Sequence, residues 1–242
     1  MPEPNRLSAG AGVAWIREGW DLMQVSMGTW IGIGFAWICI YTLLNLLGNV
    51  LIPNIGVLAQ ILLTPVFIAG PMLACRAKER DDDVRFEHLF AGFSNRTGTL
   101  MLLGVFYSLA FLFIAAILGV SFALLVGFGN LPNLPNLRAG GSIIPYLLPI
   151  LLASLFIIPL VLVVWLSTPL VALHGELTAW KAFKLAARGL LRNLLPFTVN
   201  GIAYTGLFIL ALIPLGLGFL IVIPLIFCTC YAAYRDIFVR SR

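Results

Sequence analysis

The histidines, cysteines and carboxylates of this 242-residue chain are the first candidates for chemistry. His88 and His174 stand apart, and no cysteine or carboxylate lies at metal-ligand spacing from either. Intramembrane hydrolysis would need paired carboxylates in a span, a Ser with Lys or His at depth, or His-Glu-x-x-His on a helix, and none is present. We therefore expect no catalytic residue, no metal and no cofactor. The cysteines are predicted to serve packing: Cys39, Cys75, Cys228 and Cys230.

A second candidate is the basic segment from Thr178 to Asn193. At helical spacing, one face carries Lys181, Lys184, Arg188 and Arg192, and the other carries Trp180, Phe183, Ala187, Leu190 and Leu194. Near a membrane surface, each such cation contributes roughly 1 kcal/mol to binding of anionic lipid. The four cations are predicted to bind lipid headgroups, and the alternative is a simple topology anchor.

Four arginines at the ends of uncharged segments form a third candidate set: Arg76, Arg96, Arg192 and Arg235. In a closed bundle they could converge on a phosphate group, which guanidinium groups bind in bidentate fashion. They are predicted to contribute to headgroup binding. The alternative is that each one snorkels separately from its helix end.

Prolines inside apolar segments mark candidate hinges. Pro65, Pro169 and Pro224 are predicted to kink their helices, and Thr64 and Thr168 stand directly before two of them. Such a break can line a substrate cavity, or the threonine can simply satisfy the freed backbone.

Long uncharged segments must position all these residues. Of the chain, 61% is hydrophobic and 10% is charged, against about 25% charged in a typical soluble domain. Uncharged stretches of 54, 41, 37 and 42 residues follow Asp21, Arg96, Arg138 and Arg192. Since a membrane span needs roughly 20 helical residues, we predict an all-α membrane bundle of six spans, near 29–48, 55–75, 98–128, 143–173, 194–213 and 215–234.

Charges between the spans predict the orientation. Fourteen of the fifteen Lys and Arg residues, all except Arg138, fall on one side of the predicted spans. The positive-inside rule places this side, with both termini, in the cytoplasm. The acidic residues fall on the same side, so the spans hold no formal charge, which argues against an ion-driven pump.

Short amphipathic helices are predicted before spans 1, 3 and 5. The first helix places Ile16, Trp20, Met23 and Met27 on one face. The second helix places Phe86, Leu89, Phe90 and Phe93 on one face, and the third is the basic segment described above. Each would lie at the cytoplasmic interface ahead of a straight span and a proline-containing span. We therefore divide the single domain 1–242 into three repeated units, at about 10–76, 84–174 and 178–238.

Three segments carry a resemblance to a known family: FEHLFAGF at 86–93, WKAFKLAARGLLRNLLPF at 180–197 and YAAYRDIF at 231–238. They resemble a family of proteobacterial inner-membrane proteins of uncharacterised function. The chain is also loosely similar to the membrane domain attached to some glycerophosphodiester phosphodiesterases, and we expect the catalytic domain of those enzymes to be absent here. The resemblance implies six spans and a bacterial inner membrane.

These observations predict a non-enzymatic inner-membrane protein that engages anionic lipids, or a membrane-protein partner, through interfacial helices. A homo-oligomer is compatible with the large apolar faces, and nucleic acid is not an expected partner because every basic cluster adjoins a span. The alternatives are a permease for a small apolar or amphipathic solute, and an enzyme acting on lipid phosphates.

Overall fold

The computed structural model describes residues 3–51, 55–126 and 144–240, which are helical with no strand. The helices in chain order are α1 (Ala11–Gln24), α2 (Met27–Leu51), α3 (Ile55–Glu79), a 3-10 helix (Phe86–Phe93), α4 (Thr97–Val126), α5 (Ile144–Leu173), α6 (Ala179–Arg192), α7 (Leu194–Leu212) and α8 (Phe219–Phe238). The predicted all-α fold class is confirmed.

Six of the described helices are long and apolar enough to cross a membrane: α2, α3, α4, α5, α7 and α8. This indicates a multi-pass membrane protein and agrees with the predicted spans. The last span starts later than predicted, because a turn with positive φ at Leu215 and Gly216 separates α7 from α8. The predicted loop at 129–142, with Arg138, lies outside the described residues.

Short helices precede α2, α4 and α7, as the periodicity predicts. All three lie at the end of the bundle where α3, α5 and α8 finish, which we call the charged end. The second is a 3-10 helix. Its Gly92 lies so close to α3 that a Cβ there would overlap the carbonyl oxygen of Val66.

Helices α3, α5 and α8 form the core of the bundle. Within their spans 50%, 56% and 72% of the residues are buried, against 17% in each of α2, α4 and α7. The three core helices contact one another pairwise, and the other three spans lie around them. The spans with prolines beyond their first turn are therefore the inner ones.

Contacts between the helices follow one cyclic order when the chain is divided at the three predicted units. Each short helix packs on the two spans of the preceding unit: the 3-10 helix on α2 and α3, α6 on α4 and α5, and α1 on α7 and α8. Likewise α4 packs on α3, and α2 packs on α8. The third joint of this kind, between α7 and α5, has no comparable contact in the described chain.

Matching residues occupy matching places in the units. Gly34, Gly104 and Gly201 are each the eighth residue of their span, in α2, α4 and α7. Pro65, Pro159 and Pro224 each lie 14 residues before the end of α3, α5 and α8. By this count Pro159, rather than Pro169, is the equivalent of the other two prolines.

Candidate functional site

Helix α6 presents its small residues to the protein and its cations to the outside. Ala182, Ala186 and Gly189 are buried. Lys181, Lys184 and Arg188 form no ion pair with any described residue, although the Lys184 ammonium lies 4.7 Å from the centre of the Trp180 ring. Three predicted headgroup-binding cations are thus free to meet an anion.

Large apolar residues of the three short helices divide between the protein and the outside. In the 3-10 helix Leu89 is buried, but Phe86, Phe90 and Phe93 are each more than 40% exposed. Trp20 of α1 and Trp180 of α6 are exposed as well, while Met23 is buried. The predicted single apolar faces are therefore split, because small residues make the close contacts with the bundle and leave aromatic rings outside.

Arg76 and Arg96 cap the end of α5. The Arg76 guanidinium donates to the carbonyl oxygen of Leu173 at 3.1 Å. The Arg96 guanidinium donates to the backbone carbonyl oxygen of His174 at 2.9 Å. The final carbonyl groups of a helix lack partners within the helix and carry its partial negative charge. These two arginines therefore have a structural role that snorkelling alone does not describe.

Arg235 ties three helices together at the charged end. Its guanidinium pairs with Glu18 of α1 and Glu79 of α3, and its side chain is only 19% exposed. Arg240 also pairs with Glu18, at 3.0 Å. Since two carboxylates already neutralise Arg235, its charge is less available to a ligand than those of α6.

A polar pocket of about 310 Å³ lies where α3, α5 and α8 end. Arg76 and Arg235 both line it, together with Arg80, but Arg96 and Arg192 do not. Arg192 instead pairs with Glu3 at 2.8 Å and donates to the Pro4 carbonyl. The structure thus brings two of the four predicted arginines together, and headgroup binding by them stays a prediction.

Hydrogen bonds organise the wall of this pocket. The Tyr234 hydroxyl lies 2.5 Å from His174 Nε2, and the Tyr231 hydroxyl donates to Glu79 at 2.5 Å. Partial burial, assisted by the nearby charge of Arg76, lowers the pKa of His174 below its ordinary value of 6.5. A neutral imidazole at pH 7 leaves the positive charge of the pocket to the arginines.

Glu18 has its pKa set by two opposing effects. Burial raises it, but the hydrogen bonds and charges of Arg240 and Arg235 outweigh burial and leave the pKa lowered. Glu18 is therefore ionised at neutral pH and holds α1 against α8.

The hinge candidates lie inside helices that continue through them. Pro65 and Pro224 lie in α3 and α8. Pro169 lies in α5, where it cannot bond to the carbonyl oxygen of Trp165, and the thiol of Cys230 donates to that oxygen at 3.3 Å. Thr64 and Thr168 donate to carbonyl groups four residues earlier, at 2.7 and 2.9 Å. The hydroxyls thus bond to the carbonyl groups next to the ones that the prolines leave free, and hinge motion stays a prediction.

Sequence reasoning missed several residues that organise the charged end. Asn193 is fully buried, accepts from the Leu7 backbone at 2.9 Å and donates to the Asn5 carbonyl at 2.8 Å. Asp236 is also buried and accepts from the Trp15 indole at 3.2 Å. The available signal was their position next to a span end, which places them at the interface without revealing their partners.

No protein-family model matches this chain, and no curated protein or solved structure is significantly similar to it. Within the described parts of the chain, no three His, Cys, Asp or Glu residues are grouped so that they could hold a metal ion.

Proposed function

We propose that this chain is a non-enzymatic protein of a bacterial inner membrane that engages anionic lipids through its short helices. The observation that carries the proposal is the free basic face of α6. Lys181, Lys184 and Arg188 are unpaired among the described residues, whereas Arg76, Arg96 and Arg235 already bind groups of the protein. Because the exposed Trp180 and Leu191 adjoin these cations, the outer side of α6 suits the boundary between headgroups and acyl chains.

The charge distribution supports a cytoplasmic position for this face. Among the described residues, the charged end carries thirteen of the fifteen Lys and Arg residues of the sequence, and the positive-inside rule assigns such an end to the cytoplasm. The cytoplasmic leaflet is also where anionic lipid attracts basic segments. Both termini are then cytoplasmic.

Native mass spectrometry of the protein in mild detergent tests the proposal. The protein is mixed with equal amounts of phosphatidylglycerol and phosphatidylcholine, and the retained lipid is counted. We expect the wild type to prefer phosphatidylglycerol, and changing Lys181, Lys184 and Arg188 together to Gln to reduce that preference at least about tenfold. Arg192 is left unchanged because it pairs with Glu3.

A matched control removes the same number of charges elsewhere at the charged end. Arg17, Lys78 and Arg85 lie outside α6 and outside the polar pocket. Their triple change to Gln should keep the preference. An equal loss in both variants, or no loss in the α6 variant, would contradict a specific role for α6.

The permease alternative has less support from the packing. A polar cavity that reaches the middle of the membrane would favour a permease, because it would give a solute a path. The cavity at that depth is an apolar groove, lined for example by Leu162 and Phe208.

A further inference from the structure

An apolar groove of about 290 Å³ occupies the open joint between α5 and α7, with α8 as its floor. Leu162 and Trp165 of α5 form one wall, and Phe197, Gly201 and Phe208 of α7 form the other. The equivalent joint between α3 and α4 leaves no such space. There, a Cβ on Gly104 would overlap the carbonyl oxygen of Leu62.

Helix α7 stands away from α5 because α1 and α8 hold it. Gly12 of α1 lies so close to α7 that a Cβ there would overlap the carbonyl oxygen of Pro196. The Asn200 side chain donates to the Gly12 carbonyl at 2.9 Å, and the Trp15 and Phe197 rings are 5.0 Å apart. Since these contacts fix α7 without any help from α5, the gap is a built feature of the fold.

Several polar side chains of the groove walls already have partners within the protein. Asn200 binds Gly12, the Tyr204 hydroxyl lies 2.6 Å from that of Thr229, and Cys230 donates to Trp165 at 3.3 Å. A polar ligand would lose its bonds to water in this groove without replacing them, which is unfavourable. The walls therefore select an apolar occupant.

The length of the groove matches one leaflet. From Phe197 to Phe208 there are eleven helical steps, which is about 16 Å along the axis. This is half of the roughly 30 Å hydrocarbon core of a bilayer. The volume is close to the lower limit of ligand pockets, about 300 Å³, and a helix of about 10 Å diameter with its side chains would not fit.

The Phe197 end of the groove lies at the charged end of the bundle, where α7 begins. Helix α6 contacts both α5 and α7, and it ends only five residues before Phe197. An occupant with an apolar chain one leaflet long and an anionic head would match the groove and the cations together.

We propose that the groove between α5 and α7 binds one acyl chain of an anionic membrane lipid, with its headgroup at the cations of α6. The inference rests on the proposed lipid-engaging function and names a separate binding site for the chain. A bound lipid chain would occupy the one open joint of the otherwise cyclic arrangement of helices.

Photo-crosslinking with a phosphatidylglycerol that carries a diazirine on one acyl chain tests the inference. In Gly201→Phe the new ring fills the groove, and a Cβ at this position meets no atom within 4 Å, so the helix can accept it. Gly206→Phe is the matched control, because Gly206 lies on the same helix, has the same open space and does not line the groove. Gly201→Leu serves as a smaller filling variant.

Peptide mapping should find the label on the groove walls in the wild type and in Gly206→Phe. We expect at least a tenfold loss of this label in Gly201→Phe and a smaller loss in Gly201→Leu. An unchanged label in Gly201→Phe, or an equal loss in Gly206→Phe, would overturn the inference. Cross-links between two copies of the chain at α5 and α7 would show a second copy as the occupant and overturn it as well.

The two proposals fail in different ways. The α6 cation variant tests headgroup preference, whereas the glycine variants test the chain-binding groove. Loss of the groove label in Gly201→Phe, with an unchanged lipid preference in the α6 variant, would reject the headgroup role of α6 and retain the groove.

Discussion

The joint between α3 and α4 and the joint between α5 and α7 occupy equivalent positions in the cyclic arrangement, yet only the first is closed. Gly104 and Gly201 are each the eighth residue of their helix. A Cβ on Gly104 would overlap the Leu62 carbonyl oxygen, and a Cβ on Gly201 would meet open space. The same residue at the same position thus serves close packing in one unit and borders a cavity in another.

The difference shows that the short helices decide how the outer spans are placed. Helix α1 contacts α7 through Gly12 and Asn200, and this contact positions α7 independently of α5. The 3-10 helix instead packs mainly on α3, where Gly92 and Gly70 allow the two backbones to approach closely. Small residues at these docking points therefore determine which joints close.

The largest expected effect comes from adding side-chain volume at the closed joint. Gly104→Leu should lower the free energy of unfolding by at least about 3 kcal/mol, because the new side chain must displace the α3 backbone. Gly201→Leu should stay within about 0.5 kcal/mol of the wild type. Thermal unfolding in detergent, followed by tryptophan fluorescence, measures both. Equal destabilisation by the two variants would mean that the α5–α7 joint is also closed.

The other closed joint, between α2 and α8, should respond less strongly. A Cβ on Gly34 would lie 2.9 Å from Cδ of Pro224 and 3.2 Å from the Leu220 carbonyl oxygen. Gly34→Ala should therefore lower the unfolding free energy by about 1.5 kcal/mol, less than Gly104→Leu. The same unfolding assay checks the order. A Gly34→Ala variant as stable as the wild type would show that α2 and α8 are not closely packed at this joint.

The hydrogen bond from Asn200 to α1 should contribute more to the free energy of unfolding than the hydrogen bond of Ser108 within α4. Asn200→Ala removes the bond to the Gly12 carbonyl and should cost about 1 kcal/mol, the scale of hydrogen bonds between membrane helices. Ser108→Ala is the control, since Ser108 bonds only to the Gly104 carbonyl of its own helix at 2.9 Å. Similar stability of the two variants would show that α1 does not hold α7.

The smallest effect should come from acidification. The folded pKa of Glu18 lies below its ordinary value of 4.5, so the unfolded chain binds this proton first. The stability from Glu18 is complete above pH 4.5 and is lost as the pH falls through the folded pKa. Because the Glu18 side chain is 29% exposed, we expect only about 0.5 kcal/mol. Hydrogen exchange should speed up in α1 and α7 before α4, and Glu18→Gln should abolish this difference.

The spans could be predicted because length and charge alone limit them. An uncharged stretch of 42 residues, interrupted by Pro214 and Gly216, must fold as two helices and a turn. The short helices could be predicted because their apolar residues repeat with helical spacing. Their docking faces could not, since Gly12 and Gly92 bury little area and give no periodic signal, although they make the closest contacts.

The partners of the charged residues also could not be predicted from the sequence. Arg76 and Arg235 end their spans alike, but one caps α5 and the other pairs with Glu18 and Glu79. Which guanidinium is neutralised depends on helices that are far apart in the chain. The open joint is the clearest example, because Gly201 and Gly104 are each the eighth residue of an apolar helix and differ in their contacts with helices far apart in the chain.

A crystal structure of the protein grown from a lipidic mesophase tests the central claim most directly, because it shows both joints in the presence of lipid. The account predicts an elongated density about 16 Å long between α5 and α7, beside Gly201, and no such density between α3 and α4. Helix α7 packed directly on α5, with Gly201 against its backbone and no room for a chain, would contradict it.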